Sequence, residues 1–300
     1  MLGISLAGLK LRVPLILPSG ILGLSPAFFQ GIQSDLGAIT TKSIGVKPRK
    51  GNPTPTVIPL PYGLLNAMGL PNPGIDRYIE VIEEAKRRLE IPLIVSVFGG
   101  DEDEYLEVAS KAEEAGADAV EANLSCPHER LVSIFSEDPL LARKVVSTLS
   151  GSLKIPLFVK LSPNIGDIGR IASVCEDAGA DGITAINTLR AMKIDLELKR
   201  PILSARYGGL SGPAIHPLAV RCIYEIYEAV SIPIIGMGGV TGWEDAVELI
   251  LAGASAVGIG TAISTQGLEI FRLVAEGIKG YMESHGFKGV EEMVGVAHEG

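Results

Sequence analysis

Apolar residues along the chain follow two spacings, short continuous runs and longer stretches in which they recur every three or four positions. The runs predict buried strands, and the three-and-four spacing predicts amphipathic helices. The two kinds of segment alternate along most of the chain. We predict strands at residues 13–17, 38–42, 92–98, 119–124, 157–161, 182–187, 233–237 and 256–260. We predict helices at residues 75–89, 102–115, 139–149, 168–178, 217–229, 243–251 and 268–283.

A weak internal repeat marks three of the junctions between a helix and the next strand. The sequence AGAD occurs at residues 115–118 and 178–181, and AGAS occurs at residues 252–255. The glycine suits a left-handed helix C-cap, and the strand that follows has no room for a hairpin partner. Strands that run in one direction form a parallel sheet. We therefore predict a closed (β/α)₈ TIM barrel, one domain over residues 1–300, with an open doubly wound sheet as the alternative.

Composition and charge narrow the possible partners. The chain has 300 residues, 47% of them hydrophobic. Its net charge of -9 does not favour binding to the negatively charged backbone of a nucleic acid. Prolines and glycines interrupt the charge-free stretches 13–34 and 51–75, so neither predicts a transmembrane helix. Three widely separated cysteines form neither a disulfide framework nor a paired metal motif. We expect a cytoplasmic protein with no bound metal, no membrane contact and no nucleic-acid partner.

Catalysis in such a barrel takes place at the carboxyl ends of the strands. Gly238-Gly239 and Gly260-Thr261 follow the seventh and eighth predicted strands, where barrels of this kind commonly hold a phosphate. Tight turns alone would also account for these glycines. Lys42 and Lys160 each end an apolar strand, and a buried ammonium needs an anionic partner, either a ligand or an internal carboxylate. The pattern favours a phosphorylated or otherwise anionic ligand.

Five motifs resemble those of the class 1 dihydroorotate dehydrogenases, and they extend over most of the chain. They are NAMGLPNPG at 66–74, NLSCP at 123–127, KLSPN at 160–164, AINT at 185–188 and GGLSGPAI at 208–215. The resemblance implies an FMN enzyme that oxidises dihydroorotate to orotate in pyrimidine (UMP) biosynthesis. Segment 192–213 is most similar to class 1B, which implies a homodimer within a heterotetramer. Its second subunit would carry FAD and a [2Fe-2S] cluster and pass electrons to NAD.

The resemblance also implies the residues of both binding sites. It assigns FMN at the carboxyl-end mouth to Ser19, Lys42, Ser43, Asn123, Lys160, Ile186, Gly212, Gly238, Gly239, Gly260 and Thr261. It assigns dihydroorotate to Lys42, Asn66, Met68, Gly69, Leu70, Asn123, Asn187 and Thr188, with Cys126 as the base. Amides both donate and accept hydrogen bonds, which suits the carbonyl and N–H groups of the ring, and Lys42 suits the carboxylate.

Departures from the family pattern keep other functions open. His128 and Ser96 stand where these enzymes usually have asparagine, and segment 129–137 lacks the usual glycine-rich sequence. Cys126-Pro127-His128 is similar to the dihydropyrimidine dehydrogenases, which are one alternative. A Schiff-base aldolase would use Lys160 as nucleophile without a flavin. A tRNA uridine reductase would need a basic surface, and a non-catalytic flavin-binding subunit would not need Cys126.

The remaining cysteines and histidines have simpler interpretations. Cys175 and Cys222 lie within predicted helices beside apolar residues, where a free cysteine is commonly a small buried hydrophobe. His216, His285 and His298 show no spacing that suggests a partner. We expect these histidines at the surface or in loops.

We predict that Cys126→Ala retains bound FMN and nearly abolishes turnover, because the substitution removes the base and leaves the rest of the site in place. The measurement is the rate of dihydroorotate oxidation by protein whose flavin content has been checked by its absorbance. An unchanged rate would remove the cysteine from the mechanism.

Overall fold

Eight parallel strands close into a barrel in the computed structural model, which describes residues 1–23, 25–124 and 138–300. Each strand pairs with the next along the chain, and the eighth pairs with the first. The barrel strands, numbered one to eight in chain order, are Leu15–Leu17, Ala38–Thr40, Leu93–Val97, Ala119–Asn123, Leu157–Lys160, Gly182–Ala185, Ile234–Met237 and Ala256–Gly258. The predicted closed barrel is confirmed, and the alternative of an open sheet is wrong.

Helices connect the strands and cover the outside of the barrel. Several begin at an aspartate whose carboxylate accepts a backbone N–H of the first turn, as Asp101 does from Glu104 and Asp167 does from Arg170. The α-helices are Pro26–Ile32, Ile75–Arg88, Glu102–Glu114, Pro139–Ser150, Ile168–Asp177, His216–Ala229, Trp243–Leu251, Ile263–Gln266 and Glu269–His285. Short 3₁₀ helices lie at Gln33–Asp35, Pro213–Ile215, Val290–Glu292 and Val296–His298. The sequence did not predict Pro26–Ile32 and Ile263–Gln266, both of which are short.

Strands outside the barrel were not predicted either. Four of them form an antiparallel sheet over the carboxyl ends of the barrel strands, which we call the mouth sheet. Its strands are Val57–Leu60, Gly63–Asn66, Leu189–Ala191 and Gly208–Ser211. The central pairing joins Leu65 to Leu210, two residues far apart in sequence. Two small hairpins complete the strands, Ile4–Leu6 with Leu9–Leu11 and Ile194–Asp195 with Arg200–Pro201.

The register of the barrel determines which side chains share a level inside it. Asn123 pairs with Lys160, and Lys160 pairs with Thr184, so these three side chains project on the same side of the sheet. Phe158 stands two residues before Lys160 and is fully buried. A polar layer at the carboxyl ends therefore lies directly above a mainly apolar filling of the barrel, in which buried Glu121, paired with Phe158, is a charged exception.

Two further classes of feature are absent from the described part of the chain. None of its helices combines the length and the apolar character needed to cross a lipid bilayer. Within the same ranges, no group of histidine, cysteine and acidic side chains has the arrangement of a metal site.

The internal repeat has a structural role at the amino ends of the strands. Asp118 accepts a hydrogen bond from the backbone N–H of Leu93 at 2.7 Å and donates its own N–H to the Leu93 carbonyl at 3.0 Å. Asp181 makes the same reciprocal pair with Leu157, at 2.8 Å for each bond. In the third copy, Ser255 keeps only the backbone bond, to Ile234. The aspartates therefore fasten the start of one strand to the start of the next.

We predict that Asp118→Ala lowers the free energy of unfolding by about 1–3 kcal/mol, because the N–H of buried Leu93 loses its acceptor. The measurement is urea unfolding followed by circular dichroism. Ser255→Ala is the matched control at the same repeat position, and we expect it to change the stability by no more than about 0.5 kcal/mol. Equal losses in the two variants would contradict the fastening role.

Candidate active site

A cavity of about 520 Å³ lies at the carboxyl ends of the barrel strands, beneath the mouth sheet. Every described residue that the sequence analysis assigned to a binding site lines it. These residues are Ser19, Lys42, Ser43, Asn66, Met68, Gly69, Leu70, Asn123, Lys160, Ile186, Asn187, Thr188, Gly212, Gly238, Gly239, Gly260 and Thr261. The fold thus brings together in one cavity residues from Ser19 to Thr261, which are far apart in the sequence.

A chain of hydroxyl groups fixes one wall of the cavity. The Oγ of buried Ser43 lies 3.2 Å from that of Ser19 and 2.9 Å from that of Ser96, and it accepts a hydrogen bond from the Asn123 amide at 3.0 Å. The Tyr105 hydroxyl donates to the Asn123 carbonyl at 2.9 Å and holds the end of strand four from outside. Ser96 is fully buried, so it supports Ser43 from below.

Three asparagines present amides to the cavity from different elements. Asn123 ends strand four, Asn187 follows strand six, and Asn66 ends a strand of the mouth sheet. The Asn66 amide donates to the Gly209 carbonyl at 3.2 Å, across the mouth sheet, and the Asn187 side-chain oxygen accepts the N–H of Thr188 at 2.8 Å. These bonds orient the amides, and an amide both donates and accepts hydrogen bonds, which suits a polar ligand.

Two lysines make the cavity electropositive. Lys42 is half-buried just beyond strand two, and Lys160 is only 6% exposed at the end of strand five. None of the described residues that line the cavity is acidic. No described carboxylate lies within 4.0 Å of the Lys160 ammonium. Because a buried cation is costly without a counter-charge, the cavity is suited to an anionic ligand.

Glycine loops after strands seven and eight form the far side of the cavity. Gly238 and Gly239 have φ values of +139° and +74°, which residues other than glycine rarely adopt. A Cβ at Gly239 would lie 2.7 Å from the Cβ of His216, and one at Gly238 would lie 2.6 Å from that of Ala219. The helix His216–Ala229 therefore leaves no room for a side chain at either position, and both glycines line the cavity with backbone alone.

Sequence reasoning missed the contribution of the mouth sheet. Val57, Leu64 and Ser211 line the cavity from above, and Ser211 accepts a hydrogen bond from the Thr261 hydroxyl at 2.8 Å. Segment 51–75 is rich in proline and has no charged residue, so its apolar residues do not show the alternation that predicts a strand. The pairing between Leu65 and Leu210 is also non-local, and no short-range signal indicated it.

The predicted base lies outside the described residues, as do His128 and the whole segment 125–137. The two described cysteines lie elsewhere, in the helices Ile168–Asp177 and His216–Ala229. Burial raises the pKa of the Cys175 thiol to about 12 and that of the Cys222 thiol to about 11. Neither is ionised near neutral pH, so neither can act there as a base.

Fold and cavity together define a (β/α)₈-barrel protein with an electropositive, amide-lined ligand site at its mouth. A family model described as dihydroorotate dehydrogenase matches residues 1–282. The chain belongs to the dihydroorotate dehydrogenase family.

Curated relatives match the chain along nearly its whole length. Each of three archaeal examples is named "Dihydroorotate dehydrogenase B (NAD(+)), catalytic subunit". The protein of Pyrococcus abyssi is 45% identical over 299 residues, with 99% of each chain covered. That of Thermococcus kodakarensis is 46% identical over 300 residues, covering 99% of this chain and 98% of the relative. That of Methanocaldococcus jannaschii is 42% identical over 304 residues, covering 100% of this chain and 99% of the relative.

A solved structure supports the fold. It is the crystal structure of DHODH in complex with ferulenol from Eimeria tenella, which superposes with a TM-score of 0.87. The match covers 100% of this chain and 89% of the other, at 24% sequence identity.

We predict that N-ethylmaleimide at neutral pH leaves Cys175 and Cys222 unmodified in the folded protein, because burial disfavours both thiolates. The measurement is peptide mass spectrometry after timed labelling, and the same protein in denaturant is the control that should label fully. Labelling of Cys175 in the folded protein as fast as in denaturant would contradict the burial argument.

Proposed function

We propose that this chain oxidises dihydroorotate to orotate, using FMN bound at the barrel mouth. The observation that carries the proposal is a single cavity in which two lysines and three asparagines meet and no described lining residue is acidic. Dihydroorotate presents ring carbonyls, N–H groups and a carboxylate, which are the groups that such a lining would bind. Membership of the dihydroorotate dehydrogenase family supports the same substrate.

The cavity has the features that FMN would need. Gly238 and Gly239 line the cavity with backbone alone, and Gly260 and Thr261, which follow strand eight, line it as well. This is where barrels of this kind commonly hold a phosphate. Buried Lys160 would supply a positive charge for the flavin ring. When bound, FMN supplies the acceptor for the hydride that leaves C6 of dihydroorotate.

The protein's own residues would bind the substrate and move its proton. Asn66, Asn123 and Asn187 would hold the ring through donor and acceptor pairs, and Lys42 would bind the carboxylate. Met68, Gly69, Leu70 and Thr188, which also line the cavity, would enclose the ring. Cys126, as thiolate, would take the proton from C5. Loss of that proton and of the C6 hydride creates the C5–C6 double bond of orotate, so atoms and electrons balance.

Reoxidation would require a second subunit. A [2Fe-2S] cluster held entirely by cysteine needs four thiolates, and this chain has three cysteines. We propose that FAD and a [2Fe-2S] cluster reside on a partner subunit, which passes electrons to NAD. The names of the relatives, which are catalytic subunits, support this arrangement.

The assembly we propose is a homodimer of this chain within a heterotetramer. The hairpin Ile194–Asp195 with Arg200–Pro201 supports a protein contact, because Leu196 and Leu198 in its connecting loop are 83% and 60% exposed. The proposed compartment is the cytoplasm, since free, buried thiols such as Cys175 and Cys222 suit a reducing environment.

We predict that dihydroorotate bleaches the visible absorbance of the FMN-loaded protein under anaerobic conditions and that dihydrouracil does not. Dihydrouracil lacks the carboxylate that Lys42 would bind, so it is a matched control substrate. The measurement is the absorbance spectrum before and after each addition.

The other outcomes identify other functions. Bleaching by dihydrouracil alone would assign the chain to a dihydropyrimidine dehydrogenase type of reaction. A colourless protein that cannot be reconstituted with FMN would contradict the flavin proposal and favour a Schiff-base aldolase that uses Lys160.

A further inference from the structure

His216 lies at the first position of the helix His216–Ala229 and is only 8% exposed. Sequence analysis expected it at the surface or in a loop, and that expectation is wrong. Its Nδ1 lies 2.9 Å from the carbonyl oxygen of Gly238, in the glycine loop after strand seven. Its Nε2 lies 3.0 Å from a carboxylate oxygen of Glu248 and 3.7 Å from one of Asp245. The ring therefore joins the cavity loop to the helix Trp243–Leu251.

Both ring nitrogens of His216 face a hydrogen-bond acceptor. One is the backbone carbonyl oxygen of Gly238, and the other is a carboxylate oxygen of Glu248. The ring is therefore held directly behind the glycine loop, between that loop and the helix Trp243–Leu251.

Asp245 holds the other end of the same loop. One of its oxygens accepts the N–H of Thr241 at 2.7 Å, the N–H of Gly242 at 3.1 Å and the Thr241 hydroxyl at 2.7 Å. The Gln266 amide donates to the Thr241 carbonyl at 2.9 Å. Residues 238–242 are thus fastened at both ends, with His216 at the end nearest the cavity.

Contact between His216 and the loop is also close. A Cβ at Gly239 would lie 2.7 Å from the Cβ and 2.8 Å from the backbone nitrogen of His216. The loop therefore rests against the amino-terminal end of a fourteen-residue helix, where the helix dipole is positive.

We propose that His216 is a positioning residue for phosphate. Held between the Glu248 carboxylate and the Gly238 carbonyl, its ring fixes the Gly238–Gly239 backbone against the amino-terminal end of the helix His216–Ala229. This inference rests on the proposed FMN site and deepens it. It assigns a role to a residue that lines neither the flavin ring nor the substrate.

The test compares FMN with riboflavin, which has the same ring and no phosphate. Protein reconstituted with either flavin is diluted, and released flavin is measured by its fluorescence to give a dissociation constant. We expect His216→Gln to weaken FMN binding about ten-fold, equivalent to about 1.4 kcal/mol, and to leave riboflavin binding within about two-fold. His216→Lys supplies a donor that can reach the Gly238 carbonyl, so it should restore most of the preference for FMN.

His298→Gln is the matched control. That histidine is also partly buried, bonds a backbone carbonyl, that of Ala252, at 3.1 Å and faces the Glu228 carboxylate at 3.9 Å. It lies at the amino ends of the strands, far from the cavity, and we expect no change in the FMN preference.

Three results would overturn the inference. Equal weakening of FMN and riboflavin by His216→Gln would indicate a general structural role, and no weakening of either would indicate no role. Failure of the wild-type protein to bind either flavin would overturn the proposed function itself, and the inference with it.

Discussion

The pairing of strand eight with strand one is the constraint on which the rest of the molecule depends. Val257 donates its N–H to the Pro14 carbonyl at 2.7 Å, and Ile259 donates to the Ile16 carbonyl at 3.2 Å. These bonds close the sheet, so no barrel strand retains a free edge. Closure also brings the carboxyl ends of all eight strands around one opening. Residues that end successive strands then become neighbours, whatever their separation along the chain.

Charge and packing inside the barrel follow from that geometry. Below the mouth the interior is filled mainly by apolar side chains such as Ile16 and Phe158, both fully buried, with the carboxylate of Glu121 among them. Lys160 lies at the boundary between this filling and the cavity, where little water remains to solvate its ammonium. Hydroxyl and amide groups of Ser43, Ser96 and Asn123 satisfy one another across three strands. The site is therefore pre-formed by hydrogen bonds among strand ends, and its two lysines favour an anionic ligand.

Sequence patterns predicted the barrel well because its signals are local. Each strand is a short apolar run beside a helix of regular period, and the glycines after strands seven and eight stand directly beyond such runs. The mouth sheet could not be predicted, since the pairing of Leu65 with Leu210 depends on where the finished barrel places both segments. The burial of His216 was not predicted, for a similar reason. Its partners Gly238 and Glu248 belong to other elements, and only the assembled fold brings them to its ring.

The reciprocal bonds of Asp118 and Asp181 give the two ends of the strands that they join different roles. Register is secured at the amino ends, by contacts that involve no residue of the cavity. These contacts do not depend on the loops at the carboxyl ends of the strands. Long insertions can then accumulate there without disturbing the scaffold, as segment 51–75 illustrates by adding two strands of the mouth sheet between barrel strands two and three. Such a molecule can acquire a new specificity by exchanging loops while its framework is inherited unchanged.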